Sequence, residues 1–373
     1  MQTRLQRMRD RRRPRALCSL LLLICLALIA SACALPRSTP PIIKIGMIAP
    51  FEGLYRPRGY AALYAVKLAL KEHNAAGGVA GHLVELVALN DDGQPEEAAI
   101  QARKLSIDPD VMGVIGPFSR AGASAVAGPL GEAGLAWITP STMADEVAWA
   151  HANAYRLCAS DEALARALVS WAAGEPASGS GVTIVGEDAF AQALAGAAEA
   201  VGLAHQVAHT LTTSPDSGVL LLSGDAEQVA ATLATLKSSS DARMAIGAGP
   251  EGMQEVTLKW APEASEGTVW VTCLAPAQWP QAFVEAYTQM AGSPPTPEAA
   301  LAYDAANILL EAIRWDIESN GSPQRERIVH ALGATRWGGL NGVITFDASG
   351  SWQEAPAHLF RVRNGQRFIP LSP

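Results

Sequence analysis

Short runs of apolar, largely β-branched residues alternate with helical stretches twice along this 373-residue chain. That alternation limits the fold more than any single motif does. The first series predicts strands at 42–49, 83–89, 111–115 and 135–138, separated by helices at 60–76, 95–105 and 121–133. In the first of these helices Leu63, Val66 and Leu70 recur on one face. Gly77-Gly78 then ends it, as glycine does where a helix terminus needs positive φ. The second series predicts strands at 182–185, 204–211, 218–222, 243–246 and 268–273, with helices at 189–201 and 226–237. Strands that are apolar along their whole length belong to parallel sheets covered on both faces. Two series therefore predict two α/β lobes. The rest, from Trp279, reads as helices at 282–290, 297–317 and 325–332, then strands at 342–346 and 358–362. That is too little for a third lobe, so the chain is expected to return to the first.

In open parallel sheets, ligands bind beyond the carboxyl ends of the strands. The loops that follow strands are the places to look for function. They read Pro50-Phe51-Glu52-Gly53, Asn90-Asp91-Asp92-Gly93, Gly116-Pro117-Phe118-Ser119-Arg120, Thr139-Pro140-Ser141-Thr142 and Gly249-Pro250-Glu251-Gly252.

At these residues the chain resembles a known family. The opening pattern is Ile43-Lys44-Ile45-Gly46, Gly53, Gly59, Asn74-Ala75-Ala76-Gly77-Gly78 with Gly81, and Asp91-Asp92. It continues through Gly116-Pro117, Thr139-Pro140-Ser141, Arg156 with Asp161, Tyr303-Asp304, and Gly342-Val343-Ile344-Thr345-Phe346-Asp347 with Gly350. In this order and spacing the residues resemble the type I periplasmic binding proteins of branched-chain amino-acid ABC transporters, the leucine/isoleucine/valine-binding group. The likeness covers about residues 43 to 365.

What the resemblance implies is an α/β fold of two Rossmann-like lobes joined by a three-crossing hinge. The lobes would comprise 42–155 with 277–337, and 156–276 with 338–373. One lobe would hold the α-carboxylate and ammonium of a ligand, and the other would close over it. The family serine that contacts the carboxylate falls on Arg120, with Ser119 just before it. The family's Gly-Ala-Thr becomes Ser141-Thr142-Met143, a mouth aromatic becomes Arg58 and a second-lobe tyrosine becomes Phe190, while the ammonium-binding acid has its counterpart in Glu251. These departures point away from simple leucine binding. The set still makes chemical sense, because a guanidinium forms a forked, charge-assisted pair with a carboxylate. Amides at helix starts after Ser119 and Ser141 suit an anion, Glu251 suits a cation, and Tyr55, Phe118 and Phe190 suit an apolar portion. The competing readings make Arg58 and Arg120 solvated surface charges, Ser141 a helix cap and Glu251 a loop acid. Asp161 reads better as a helix cap near the hinge than as a ligand contact.

Other patterns fail on inspection. Gly247-x-Gly249-x-x-Gly252 spells a dinucleotide fingerprint, but it lies late in the second series and Pro250 removes an amide the phosphate needs. His205 and His209 fall on a predicted strand, where four residues separate them by roughly 13 Å, too far to share a metal. Ser124 lacks the second glycine of a nucleophile elbow. Asp91-Asp92 reads as a turn and helix cap rather than an acid–base pair. No catalytic constellation, metal site or cofactor is expected.

The start of the chain carries an address. Seven arginines and one acid precede an apolar stretch from residue 16 to 30, which ends at Ser31-Ala32-Cys33. As a helix that stretch spans about 22 Å, short of the hydrocarbon core of a bilayer, so it reads as a secretory signal over 1–32. Its end resembles a bacterial lipobox, with Ala30 where leucine is usual, and would leave Cys33 lipidated at the head of a Pro-rich tether over 33–41. Arg12-Arg13 hints at twin-arginine export, but Pro14 follows it. Setting the first 32 residues aside takes the formal net charge from −8 to −14. An acidic body of that kind will not hold a phosphate backbone, which argues against a nucleic-acid partner. With the lipidated Cys33 also set aside, two cysteines remain, Cys158 and Cys273, 115 residues apart. A disulfide is open to them in an oxidising compartment, and two buried thiols are the simpler expectation. The combined expectation is a monomeric, lipid-anchored binding protein that delivers a small polar solute to an ABC permease. The alternative is a non-transport sensor or regulator that uses the same clamp on a ligand or an envelope protein.

Overall fold

The structure, a computed structural model, describes residues 40–142, 145–211, 218–237, 244–252, 255–275, 278–364 and 367–371. The expected signal peptide, Cys33 and all but the last two residues of the expected tether lie outside them. Five parallel strands form the first sheet, β1 (Ile42–Ala49), β2 (Leu83–Asn90), β3 (Val111–Ile115), β4 (Ala136–Thr139) and β5 (Ala154–Arg156), in the order β2-β1-β3-β4-β5. Between them run helices α1 (Arg56–Ala75), α2 (Pro95–Ser106), α3 (Arg120–Glu132) and α4 (Asp145–Ala150). Alternate β1 side chains separate the faces of this sheet. Ile43, Ile45 and Met47 enter one core, while Ile48 enters the other with Val114 and Trp137.

After β5 the chain enters α5 (Asp161–Gly174) and builds a second sheet. Its strands are β6 (Val182–Val185), β7 (His205–Ala208), β8 (Val219–Leu222), β9 (Ala245–Ala248) and β10 (Val269–Thr272), with α6 (Ala189–Ala200), α7 (Ala226–Lys237) and α8 (Glu255–Trp260). These strands pair in parallel, in register Val182 to Val219 and Val219 to Ala245. Val219 and Leu221 face one core, Leu220 and Leu222 the other.

The chain then returns to the first lobe with α9 (Gln281–Ala291), α10 (Pro297–Asn320) and α11 (Arg325–Gly333). All three pack into the core beneath β1. Thr296 caps α10 by accepting from the Ala299 amide, and Gly321 ends it in the left-handed region at φ 81°. The hairpin β11 (Arg336–Gly339) and β12 (Gly342–Thr345) follows, and Ile344, Phe346 and Trp352 join the same first core. Asp304 of α10 is fully buried against the hairpin, accepting from the Leu340 and Asn341 amides and from Asn341 Nδ2. A Cβ at Gly339 would lie 2.6 Å from that carboxylate, so only glycine passes here. Asp304 of the Tyr303-Asp304 motif thus anchors this hairpin. Finally β13 (His358–Arg363) and β14 (Arg367–Pro370) add to the second sheet antiparallel, giving β14-β13-β10-β9-β8-β6-β7.

The chain passes between the sheets after β5, after β10 and before β13, and the three passages are tied together. The Trp352 amide donates to the Arg156 carbonyl at 3.1 Å, and Arg156 Nη2 donates to Ser351 Oγ at 2.8 Å. Cys158 and Cys273 form a disulfide with Cα atoms 5.2 Å apart, joining the first passage to the second. The expectation of two thiols is therefore corrected. The fold brings residues 115 apart in sequence to adjacent passages, a proximity that spacing alone does not encode. Among the described residues no helix is long and apolar enough to cross a membrane.

Candidate functional site

The carboxyl ends of both sheets meet around a cavity of about 630 Å3, within the roughly 300–1,000 Å3 of small-molecule sites. Its first wall begins with the loop after β1. A Cβ at Gly59 would lie 1.9 Å from the Pro50 carbonyl oxygen, so glycine lets α1 press against that loop. Arg58, one residue earlier, is thereby aimed at the loop after β4, where its Nη2 donates to Ser141 Oγ at 2.9 Å. Ser141 Oγ in turn donates to the Phe118 carbonyl at 3.3 Å. Thr139 Oγ1 donates to the Pro117 carbonyl at 2.7 Å, joining the loops after β3 and β4.

Ser119 caps α3, its hydroxyl accepting from the Gly122 amide at 3.1 Å. Arg120, the first residue of α3, reaches across to Asp161, the first residue of α5. Nη1 donates to Oδ2 at 2.5 Å and Nη2 donates to Oδ1, a bidentate pair. Asp161 is not the cap of α5. That place belongs to Ser160, whose hydroxyl accepts from the Ala163 amide. Nor is Arg120 a solvated surface charge, since its side chain is only 14% exposed. Burial pulls the Arg120 guanidinium down, but the bonds and charge of Asp161, with the fields of Glu251 and Asp188, hold it above its ordinary range.

The second wall comes from the loops after β6, β8 and β9. Asp188 caps α6, accepting from the Ala191 amide at 2.9 Å, and also accepts from Ser223 Oγ. Asp225 and Gln228 form a reciprocal cap on α7. The Gln228 amide donates to Asp225 at 2.9 Å, and the Asp225 amide donates to Gln228 Oε1 at 3.0 Å. Glu251 accepts from Thr142 Oγ1, a second bond across the cleft.

Of the expected site residues, Tyr55, Arg58, Phe118, Ser119, Arg120 and Glu251 line the cavity. Ser141 and Thr142 stand behind it, holding Arg58 and Glu251. Phe190, 2% exposed, borders a separate recess of about 10 Å3. The acids Asp91, Asp92, Asp188, Asp225 and Glu227 also line the cavity. The sequence reading treats the first two as a turn and leaves the loops after β6 and β8 out. The available signal was the position of Asp188 and Asp225, each just past a strand and just before a helix.

Burial pushes the Asp91 carboxyl up to about 6. The Gly93 amide and the charge of Arg58 oppose the shift, and Asp92 adds to it. Tyr55 is raised first by burial, then by the charges of Asp225, Glu251 and Glu227, with Arg58 opposing. A carboxyl whose folded pKa lies above its unfolded value contributes stability that is complete below the unfolded value and is lost as pH rises through the folded one. In Asp91→Asn protein that loss is absent. Stability relative to the wild type is expected to improve by on the order of 1 kcal/mol between about pH 5 and about pH 7.5. Urea titrations at both pH values check this, and parallel pH dependence in the two proteins would contradict it.

A family model for periplasmic binding protein matches residues 42–367. The Leu/Ile/Val-binding protein BraC3 of Rhizobium johnstonii is 31% identical over 121 residues, 32% of this chain and 33% of that one. A Leu/Ile/Val-binding protein homolog 7 of Brucella melitensis is 34% identical over 105 residues, 28% of this chain and 26% of that one. The matched stretch thus spans about a third or less of these curated relatives. Among solved structures, the leucine binding protein LivK from Thermotoga maritima superposes with a TM-score of 0.76 at 22% identity, covering 89% of this chain and 98% of that one. A solute binding protein of an ABC transporter from Rhodopseudomonas palustris BisB5, in complex with 3,4-dihydroxy benzoic acid, gives a TM-score of 0.71 at 18% identity, covering 89% of this chain and 96% of that one. At such identities the likeness is one of fold.

Proposed function

Because the chain belongs to the periplasmic binding protein family, we propose that it is the solute-binding component of an ABC importer, held outside the cytoplasm by a lipid at Cys33. The observation that carries this reading is the cavity of about 630 Å3 lined from both lobes. Residues of the first wall sit on loops after β1, β2 and β3, and those of the second on loops after β6, β8 and β9. A solute bonded to both walls keeps those bonds only while the lobes are together. It therefore shifts the population toward closure by its difference in affinity for the two states. The closed form is the one a permease would engage. Amino acids, amides and related small carboxylates or amines are the proposed solute range, in keeping with the names of the leucine-type relatives and of the aromatic-acid binder. We place the second lobe's last contribution at β13 and β14, and leave residues 338–352 with the first lobe, whose core takes up Ile344, Phe346 and Trp352.

Native mass spectrometry of protein purified without denaturation tests this reading. The expected spectrum shows a small molecule retained by the folded chain and released on unfolding, and a chain mass that begins at a lipid-bearing Cys33. A bare folded chain whose melting no compound of that solute range raises would overturn the reading.

A further inference from the structure

The space beside the hinge, where the two walls converge, is already filled by the chain itself. The Arg120 fork is taken by Asp161, Glu251 accepts from Thr142, and the recess bordered by Phe190, Arg120 and Glu251 has room for only about 10 Å3. The open volume is walled by the loops after β1, β2 and β3 on one side and after β6, β8 and β9 on the other. Six carboxylates line it, those of Asp91, Asp92, Asp188, Asp225, Glu227 and Glu251, against two guanidiniums. One of the two, Arg120, is neutralised by Asp161. The other, Arg58, bonds only a serine hydroxyl, and its buried Nε finds no acceptor among the described residues. Arg58 therefore brings to the cavity wall a positive charge that no carboxylate among the described residues pairs.

We infer that the ligand of this cavity is a small bipolar molecule of net positive charge, of the basic amino-acid class, with its carboxylate at Arg58 and its cationic end against Asp92, Asp225 and Glu227. This rests on the solute-binding reading and narrows it. A neutral apolar amino acid leaves the acids of the second wall facing only water, and an anion meets like charge on both sides. Burial is the main cause that raises the Tyr55 hydroxyl, and the charges of Asp225, Glu251 and Glu227 on the opposite wall add to it.

The test is calorimetric titration of the mature chain with L-arginine, L-lysine, agmatine, L-leucine, L-glutamate and benzoate. L-arginine or L-lysine is expected to bind at least about tenfold more tightly than L-leucine, L-glutamate or benzoate, since charge-assisted bonds of this kind are each worth about that factor. Agmatine keeps the guanidinium and lacks the carboxylate, so it is expected to bind more weakly than L-arginine. The double variant Asp225→Asn, Glu227→Gln keeps a capping side chain on α7 and is expected to lose about tenfold in affinity for L-arginine, with a weaker salt dependence than the wild type. Tighter binding of leucine, glutamate or benzoate, or undiminished arginine binding in the variant, would overturn the inference and leave the solute-binding reading standing. Agmatine binding as tight as arginine would remove Arg58 from its assigned contact. Failure of every probe, in a chain that retains no small molecule, would overturn both readings.

Discussion

Arg120→Ala protein is expected to unfold in urea with a stability lower than the wild type by about 3 kcal/mol. The sequence reading places this arginine on a ligand carboxylate, where its loss would spare the fold. The structure gives its fork to Asp161, a residue 4% exposed. Removing the guanidinium leaves an ionised carboxylate out of water, the costly way to break a buried pair. Amides at the start of α5 recover only a part of that, because Asp161 is the first helical residue. The reverse substitution, Asp161→Asn, should cost less. Glu251 and Asp188 already act on Arg120 and remain after Asp161 is neutralised. Arg120→Met combined with Asp161→Leu removes both charges and keeps volume, and is expected to regain most of the lost stability. A thermodynamic cycle through the wild type, Arg120→Met, Asp161→Leu and the double variant isolates the pairing. An unmoved midpoint in Arg120→Ala would mean that the pair does not persist in solution. Because α3 packs on the first sheet and α5 on the second, the pair also joins the two lobes. The same substitution should therefore raise the free-energy cost of the closed arrangement.

This correction shows what was legible in the chain and what was not. Strand positions were, because a strand buried on both faces must be apolar along its length, and β1, β3 and β6 lie where the β-branched runs put them. The three-residue β5 was not, since so short a segment shows no periodicity. Within the site, the loops after β1, β3, β4 and β9 announce themselves by glycine, proline and hydroxyl residues. Asp188 and Asp225 do not, because an aspartate that caps a helix and one that lines a cavity look identical in sequence, and here each does both. Partners distant along the chain were also out of reach. Arg120 and Asp161 stand 41 residues apart and Asp304 bonds a hairpin 36 residues on, so each polar residue could be seen but not what neutralises it. Only the paths of the two sheets, which bring strand ends together, supply that information.

Replacing Cys158 and Cys273 together by alanine is expected to lower stability by about 4 kcal/mol, a large part of what holds an ordinary domain folded. The bridge spans 115 residues, and closing a loop of that length removes about 4–5 kcal/mol of chain entropy from the unfolded state. The enclosed segment holds α5 to β10, most of the second sheet, while the first sheet lies outside the loop. Hydrogen exchange in the variant is therefore expected to speed up most in the strands from β6 to β10 and least in β1 and β3. The urea dependence should also steepen, because an unlinked unfolded chain exposes more surface. Both sulfurs are buried, Cys158 completely and Cys273 at 3% exposure. A reductant should accordingly leave the folded protein intact and act once the chain opens. Such a bond persists in oxidising compartments and not in a reducing cytoplasm. A version of the chain lacking residues 1–33 and made in a reducing cytoplasm should then carry two thiols and match the low stability of the alanine pair. Reoxidation of that protein should restore the wild-type midpoint. Identical midpoints and slopes in the bridged, reduced and alanine forms would show that the bond contributes nothing to the fold.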